Sequence, residues 1–187
     1  MLQKIKNLYH LTRALIAAIY FNFPSNSLKV IAITGTDGKT TTVNMVYNIL
    51  KSAHIPASMV SSINAKIGEK TIDTGFHVTT PDSWNLQKLL KKAVIDGSNY
   101  FVLEATSHGL DQNRLAFIKI DTAAITNITN EHLNYHKNWN NYAQAKSKLF
   151  VNVNHSILNA DDKSYGFLKT KVTGEIFTYS KAKKSNF

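Results

Sequence analysis

Gly35, Gly38, Lys39 and Thr40 fit the pattern G-x-x-G-K-[ST] inside KVIAITGTDGKTTT, residues 29–42. Each residue type there has a task in holding a phosphate. Glycines let successive backbone N–H groups turn inward around anionic oxygens. A helix opening at Lys39 adds its unpaired N-terminal donors to the same anion. Lys39 supplies a point charge, and the Thr40 hydroxyl is a candidate Mg²⁺ ligand. The apolar run Val30 to Ile33 feeds the turn, so the stretch reads as strand, phosphate-binding loop and helix.

Further along, Glu104 closes the apolar run YFVLE. A phosphate-loop enzyme wants a carboxylate there for Mg²⁺ or for its water; the alternative is a cap on the next helix. In EATSHGLDQNR, His108 is either a ligand or acid–base group or a loop histidine bonded to backbone. Gln112 and Arg114 suit a carboxylate or phosphate, or form a solvated pair. TNITNEHLNYH brings Asn127, Glu131, His132 and His136. His132 and His136 are four apart and would share one helical face, but H-E-x-x-H is absent and no zinc site is expected. Lys146 lies among Ala143, Ala145 and Leu149. Burial would lower its pKa, and a neutral amine can add CO₂ to become an anionic metal ligand. The other reading is a stem that snorkels its ammonium to water.

The elements that position these groups alternate. Strands are expected over 28–33, 57–63, 100–103, 121–126, 156–158 and 175–179, with a hairpin or loop over 67–72. Helices are expected over 39–53, from Ser83, over 139–150 and over 163–170. Val43, Val46, Tyr47 and Leu50 give the first of these a buried stripe, and Leu86, Leu89, Leu90 and Val94 the second. Gly97 is placed as a helix C-cap. Strands alternating with helices imply βαβ units, a three-layer fold and a mostly parallel sheet. In open α/β folds, ligands sit beyond the carboxyl ends of strands. Four polar clusters fall at such ends: the phosphate loop, the Glu104 segment, residues 127–136 and residues 159–162.

The chain has 187 residues, enough for one α/β domain, and a formal net charge of +10 from 22 Lys and Arg against 12 Asp and Glu. That balance favours anionic partners. The basic residues are spread out, clustering only at Lys181, Lys183 and Lys184, so a nucleotide fits better than nucleic acid. With no cysteine, disulfides and thiolate chemistry are excluded. Leu8 to Phe21 is apolar but interrupted by Thr12 and Arg13, too short for a membrane span. It reads as a helix stopped by Pro24, packed on the domain or making a weak peripheral membrane contact. A phosphate loop downstream implies a cytoplasmic protein.

The ordered motifs GTDGKTTT (35–42), TTPD (79–82), EATSHGLDQNR (104–114), TNITNEHLNYH (126–136), YAQAKSKLF (142–150) and LNADD (158–162) resemble the Mur ligases. The likeness is to the central ATP-binding domain of the MurE type, the UDP-N-acetylmuramoyl-tripeptide synthetases, and it spans residues 28–179. It implies residues 1–27 as a helix and linker and 28–187 as a central domain that ends early. It implies ATP and Mg²⁺ as cofactors and a UDP-N-acetylmuramoyl-peptide and an amino acid as substrates. Gly35, Thr36, Gly38, Lys39, Thr40, Thr41 and Asn127 would face the nucleotide. Thr40, Glu104, His132 and a carbamylated Lys146 would hold metal, and Lys39, Glu104, His132 and Lys146 would serve catalysis. Thr79, Thr80, Ser107, Gln112 and Arg114 would contact the peptide substrate.

The reaction implied is amide formation through an acyl phosphate in peptidoglycan synthesis. Several residues depart from the family pattern. Asp37 stands for the usual Asn, Glu131 and Asn134 for Asp, and Thr106 for Ser. The family's UDP-binding and closing domains are not seen, so partner domains in trans are expected and activity of the chain alone is left open. The alternatives are a non-catalytic ATP- and Mg²⁺-binding module and a ligase like folylpolyglutamate synthetase.

Overall fold

The computed structural model describes residues 2–73, 80–129, 131, 133–182 and 184–187. Among the described residues, eight strands form one sheet: β1 (Lys29–Thr34), β2 (Ala57–Val60), β3 (Asn64–Ile67), β4 (Lys70–Asp73), β5 (Tyr100–Glu104), β6 (Ile120–Ile125), β7 (His155–Asn159) and β8 (Glu175–Tyr179). Their spatial order is β4-β3-β2-β5-β1-β6-β7-β8. Six strands, from β2 to β8, run parallel, and β3 with β4 is an antiparallel hairpin at one end. The stretch 67–72 is therefore the turn and second arm of a hairpin. β2 stops at Val60, three residues short of the expected end at Ile63.

Among the described residues, seven α-helices accompany the strands: α1 (Leu2–Tyr20), α2 (Lys39–Ser52), α3 (Ser83–Ile95), α4 (Ser107–Asp111), α5 (Leu133–His136), α6 (Trp139–Ser147) and α7 (Tyr165–Lys169). Alternation along the central strands divides the core in two. Val30 and Ala32 of β1, with Phe101 and Leu103 of β5, face a large cluster that includes Leu86 and Leu90 of α3 and Tyr142 and Ala143 of α6. Ile33 and Val102 point the other way, onto Val43 and Tyr47 of α2. Helices on both faces make the three layers that the βαβ rhythm predicts. Among the described residues, no helix is long and apolar enough to cross a membrane.

Local chemistry sets the boundaries. The Asp82 carboxylate accepts from Trp84 N and Asn85 N to start α3. Past its end, Gly97 takes φ +81°, with Gly97 N bonded to Val94 O and Ser98 N to Ala93 O. Thr106 and Asn138 cap α4 and α6 in the same way. α1 packs its fully buried Ala14, Ala17 and Ala18 inward, and its far side exposes Leu8, Ile16, Ile19 and Tyr20. Tyr20 and Phe21 rest on the Trp84 ring of α3, at 4.9 and 5.2 Å.

At the other end of the sheet, Ser156 and Leu158 of β7 are fully buried, while His155 and Ile157 on its opposite face are half-covered. Phe177 of β8 stands in register with Ile157 and meets the Phe187 ring at 6.1 Å. The same tail bonds the strand: Asn186 N and Phe187 N donate to Thr178 O, and the Asn186 side chain accepts from Thr178 N at 2.8 Å.

Candidate functional site

The parallel register brings the strand ends together. Ile33 of β1 lies beside Glu104 of β5, and Thr34 beside Ile125 of β6. The loop after β1 therefore sits between the ends of β5 and β6, where the strand order changes direction.

That loop is held from three sides. From the β6 side, Thr36 N donates to Asn127 O at 2.9 Å and Asp37 N to Asn127 Oδ1 at 3.0 Å. Asp37 O accepts the Thr126 hydroxyl at 2.7 Å. Gly35 runs so close to Thr126 that a side-chain methyl would overlap its hydroxyl. From within, Lys39 folds its ammonium onto Thr36 O at 2.6 Å. From beneath, Lys146 Nζ donates to Gly35 O at 2.6 Å, 4.5 Å from the centre of the Tyr142 ring. The Tyr142 hydroxyl lies 3.3 Å from the Thr36 hydroxyl, which also accepts from Thr129 N.

Lys146 is only 1% exposed, so the snorkelling reading is overturned. Burial, and next the Lys39 charge, push its pKa down to about 7, against weaker upward pulls from Glu131 and Asp37. Near neutral pH a sizeable share of this amine is unprotonated.

The helix after the loop is different from its neighbours. α2 begins at Gly38, which offers no side chain to cap it, whereas α3, α4 and α6 each receive a side-chain cap. Its first-turn amides stay available to an anion. Thr41 is exposed in that first turn.

Beside this terminus lies Glu104, 1% exposed. Its Oε2 accepts the Thr40 hydroxyl at 2.9 Å, the Ser62 amide at 3.0 Å and the Ser62 hydroxyl at 3.2 Å. None of the ion pairs among the described residues involves Glu104. A buried carboxylate held only by neutral donors is expensive unless a cation joins it. One carboxylate and two hydroxyls form a hard oxygen set that suits Mg²⁺.

Ser62 went unrecognised in the sequence. Its signal was positional: two serines directly after an apolar run, at a parallel strand's carboxyl end. Setting the end of that strand at Ile63 hid them. Thr126 and Tyr142 were likewise missed as supports of the loop.

The substrate-side residues form a second group. Thr80 is fully buried; its hydroxyl lies 2.8 Å from the Thr106 hydroxyl and donates to Glu104 O at 3.3 Å. Gln112 Oε1 accepts from Arg114 Nε and Nη2, at 2.9 and 2.7 Å, and Arg114 Nη1 donates to Thr80 O at 2.6 Å. Ser107 is buried at the start of α4. Gln112 and Arg114 are thus a bonded pair aimed at the 80 loop, not a solvated one.

Two expected site residues, Thr79 and His132, lie outside the described residues, as does Lys183. His136, in α5, is buried in a stack of rings with His108, Tyr135 and Tyr142. Of the fourth cluster, Asn159 and Asp162 brace the β6 loop, donating to Thr126 O and accepting from Ile128 N. A cleft of about 530 Å³ lies elsewhere, at the strands' amino ends near Ile120 and Asn152.

Fold and site together define a mostly parallel α/β domain built around the glycine-rich loop after β1. The Mur ligase middle domain matches residues 33–187, and the chain belongs to that family. It is similar to the UDP-N-acetylmuramoyl-L-alanyl-D-glutamate–2,6-diaminopimelate ligases of Clostridium perfringens, at 39% identity over 184 residues, and of Aquifex aeolicus, at 39% over 165. Those matches cover 93% and 87% of this chain but 37% and 34% of the relatives, so the chain spans about a third of their length. A solved structure of a ligase of the same name superposes with a TM-score of 0.76 at 30% identity, over 84% of this chain and 33% of that one. The MurF ligase of Thermotoga maritima in complex with ADP shares the fold, with a TM-score of 0.65 at 17% identity over 95% of this chain and 37% of its own.

Proposed function

We propose that this chain is the nucleotide- and metal-binding unit of an ATP-dependent ligase that joins an amino acid to a UDP-N-acetylmuramoyl-peptide. Residues 28–187 form that unit and residues 1–27 its helical approach. The relatives are named for adding 2,6-diaminopimelate; the proposal takes from them the class of reaction.

The observation that carries the reading is the juxtaposition of the uncapped α2 terminus with the Thr40–Ser62–Glu104 cluster. In this reading Gly35, Thr36, Gly38, Lys39, Thr40, Thr41 and Asn127 shape the phosphate cradle. Thr40 and Glu104, joined by Ser62, would hold Mg²⁺, with His132 and a carbamylated Lys146 as further ligands. Mg²⁺, when bound, offsets the repulsion between γ-phosphate and an attacking carboxylate. Lys39 swings from Thr36 O to the phosphates and shares that work. The substrate carboxylate would attack the γ-phosphorus of ATP, breaking its bond to the β-phosphate oxygen and releasing ADP; the amine of the amino acid would then add to the acyl phosphate, lose its proton and expel inorganic phosphate, leaving the amide. Thr79, Thr80, Ser107, Gln112 and Arg114 orient the peptide. Lys146 has the burial and the lowered pKa that carbamylation needs.

The alternative reading is a nucleotide-binding module that does no chemistry without partner domains. Calorimetry with ATP and Mg²⁺ tests what both share. Wild type binds, and Lys39→Ala weakens binding roughly tenfold or more with an unchanged circular dichroism spectrum. Equal affinity would reject the assignment. Phosphate release that depends on both the UDP-muramoyl-peptide and an amino acid would then select the ligase over the module.

A further inference from the structure

α1 is apolar on two sides. Ala14, Ala17 and Ala18 pack inward and are fully buried. Leu8, Leu11, Leu15 and Ile19 recur at spacings of three and four, which puts them together on the opposite side. All four are exposed, Leu8 at 63% and Ile19 at 60%. Ile16 and Tyr20 widen this outer stripe along one flank. Thr12 falls inside it, and its hydroxyl donates to Leu8 O at 3.0 Å, so the polar group is satisfied within the helix. At its end the stripe continues onto α3, where the Tyr20 ring meets the partly exposed Trp84.

α3 adds charge of one sign beside that stripe. Trp84, Lys88, Lys92 and Ile95 follow one another at four, four and three along its outer side, and all are exposed. The sequence of α3 holds Lys88, Lys91 and Lys92, that of α1 holds Lys4, Lys6 and Arg13, and neither helix contains an Asp or Glu. Among the described residues, none of the three α3 lysines forms an ion pair. An apolar stripe, aromatic rings at its border and unopposed cations alongside are the features of a helix that lies in a lipid headgroup layer. Lysine stems rest on apolar surface while their ammonium groups reach outward to phosphate. A second copy of the same face is a poorer occupant, because it brings only like charges.

We propose that the joint face of α1 and α3 docks the chain on an anionic lipid surface. The α1 stripe lies along the headgroup layer without crossing it, and the α3 lysines face lipid phosphates. This goes beyond the ligase reading, since it uses neither the loop after β1 nor the Thr40–Ser62–Glu104 cluster. Each lysine near such a surface adds a modest, salt-screened attraction, so the docking is reversible.

The test is co-sedimentation of the full chain with vesicles of phosphatidylcholine alone and of phosphatidylcholine mixed with phosphatidylglycerol. The chain should pellet with the mixed vesicles, and less so as salt is added. Replacing Lys88, Lys91 and Lys92 together by Gln should weaken that binding about tenfold or more. Ile16→Ser combined with Ile19→Ser should weaken it as well, and the lysine variant decides the matter if this one loses helicity. Bromine-labelled lipid chains should quench tryptophan fluorescence in wild type, and Trp84→Phe should lose most of that quenching. Absence of binding to the mixed vesicles, equal binding to both vesicle types, or binding that leaves Trp84 unquenched overturns the proposal. So does self-association without vesicles that the Ile16 and Ile19 changes abolish, which would give the face to a second copy. Calorimetry with ATP and Mg²⁺ should be the same in wild type and all these variants, so failure on vesicles leaves the nucleotide assignment standing.

Discussion

Lys146 and Gly35 carry the two sharpest consequences of single positions. Lys146 holds its proton less tightly folded, at about 7, than unfolded, at the ordinary 10.5. Below pH 7 both states carry the proton, and the burial cost is present in full. Between pH 7 and 10.5 the unfolded chain binds more protons than the folded one, so stability rises with pH. In CO₂-free buffer, the wild-type urea midpoint should increase from pH 7 to pH 9, and Lys146→Met should lose that gain. Matching pH dependence in the two proteins would show that the lysine is not the cause. At Gly35 a methyl would strike the Thr126 hydroxyl that holds Asp37 O. Gly35→Ala should cost about 2 kcal/mol of stability. It should also abolish ATP binding in calorimetry, since the loop cannot keep its path.

At the scale of elements, α4 and the 80 loop are locked by close approach. A Cβ on Gly109 would lie 3.0 Å from Thr80 Cβ and Cγ2, whereas one on Gly166 in α7 would meet nothing within 4 Å. Gly109→Ala should lower the denaturation midpoint, by about 1–3 kcal/mol in stability. Gly166→Ala should raise it slightly, by about 0.5–1 kcal/mol, through helix propensity alone. A stabilised Gly109→Ala would mean that the loop yields freely. The contrast also shows what the sequence could reveal. Strand, loop and helix around Lys39 were legible because apolar run, glycines and amphipathic stripe are local signals. Glu104 stood out as a carboxylate closing an apolar run; the burial of Lys146 did not, because small neighbours fit a snorkelling stem as well as a buried one. The role of Ser62 was not legible: it depends on which strands become neighbours, and β5 inserts between β1 and β2 out of chain order. The fate of Asn159 and Asp162 as braces of the β6 loop was hidden for the same reason.

Across the whole molecule, the sheet is protected unevenly. The hairpin β3–β4 closes one border, and the central strands are covered on both faces. The other border is β8, where Asn186 and Phe187 tie up Thr178 and Phe187 shields Phe177. Backbone groups on an outer strand are a template for another chain. Asn186→Ala should therefore loosen the tail, and light scattering should grow more steeply with protein concentration than in wild type; identical scattering would show that the tail is incidental. Asn186 and Phe187 occupy the outward backbone groups of β8 at Thr178 through one short polar grip and one ring contact, so at that point the strand offers a neighbouring chain fewer open partners.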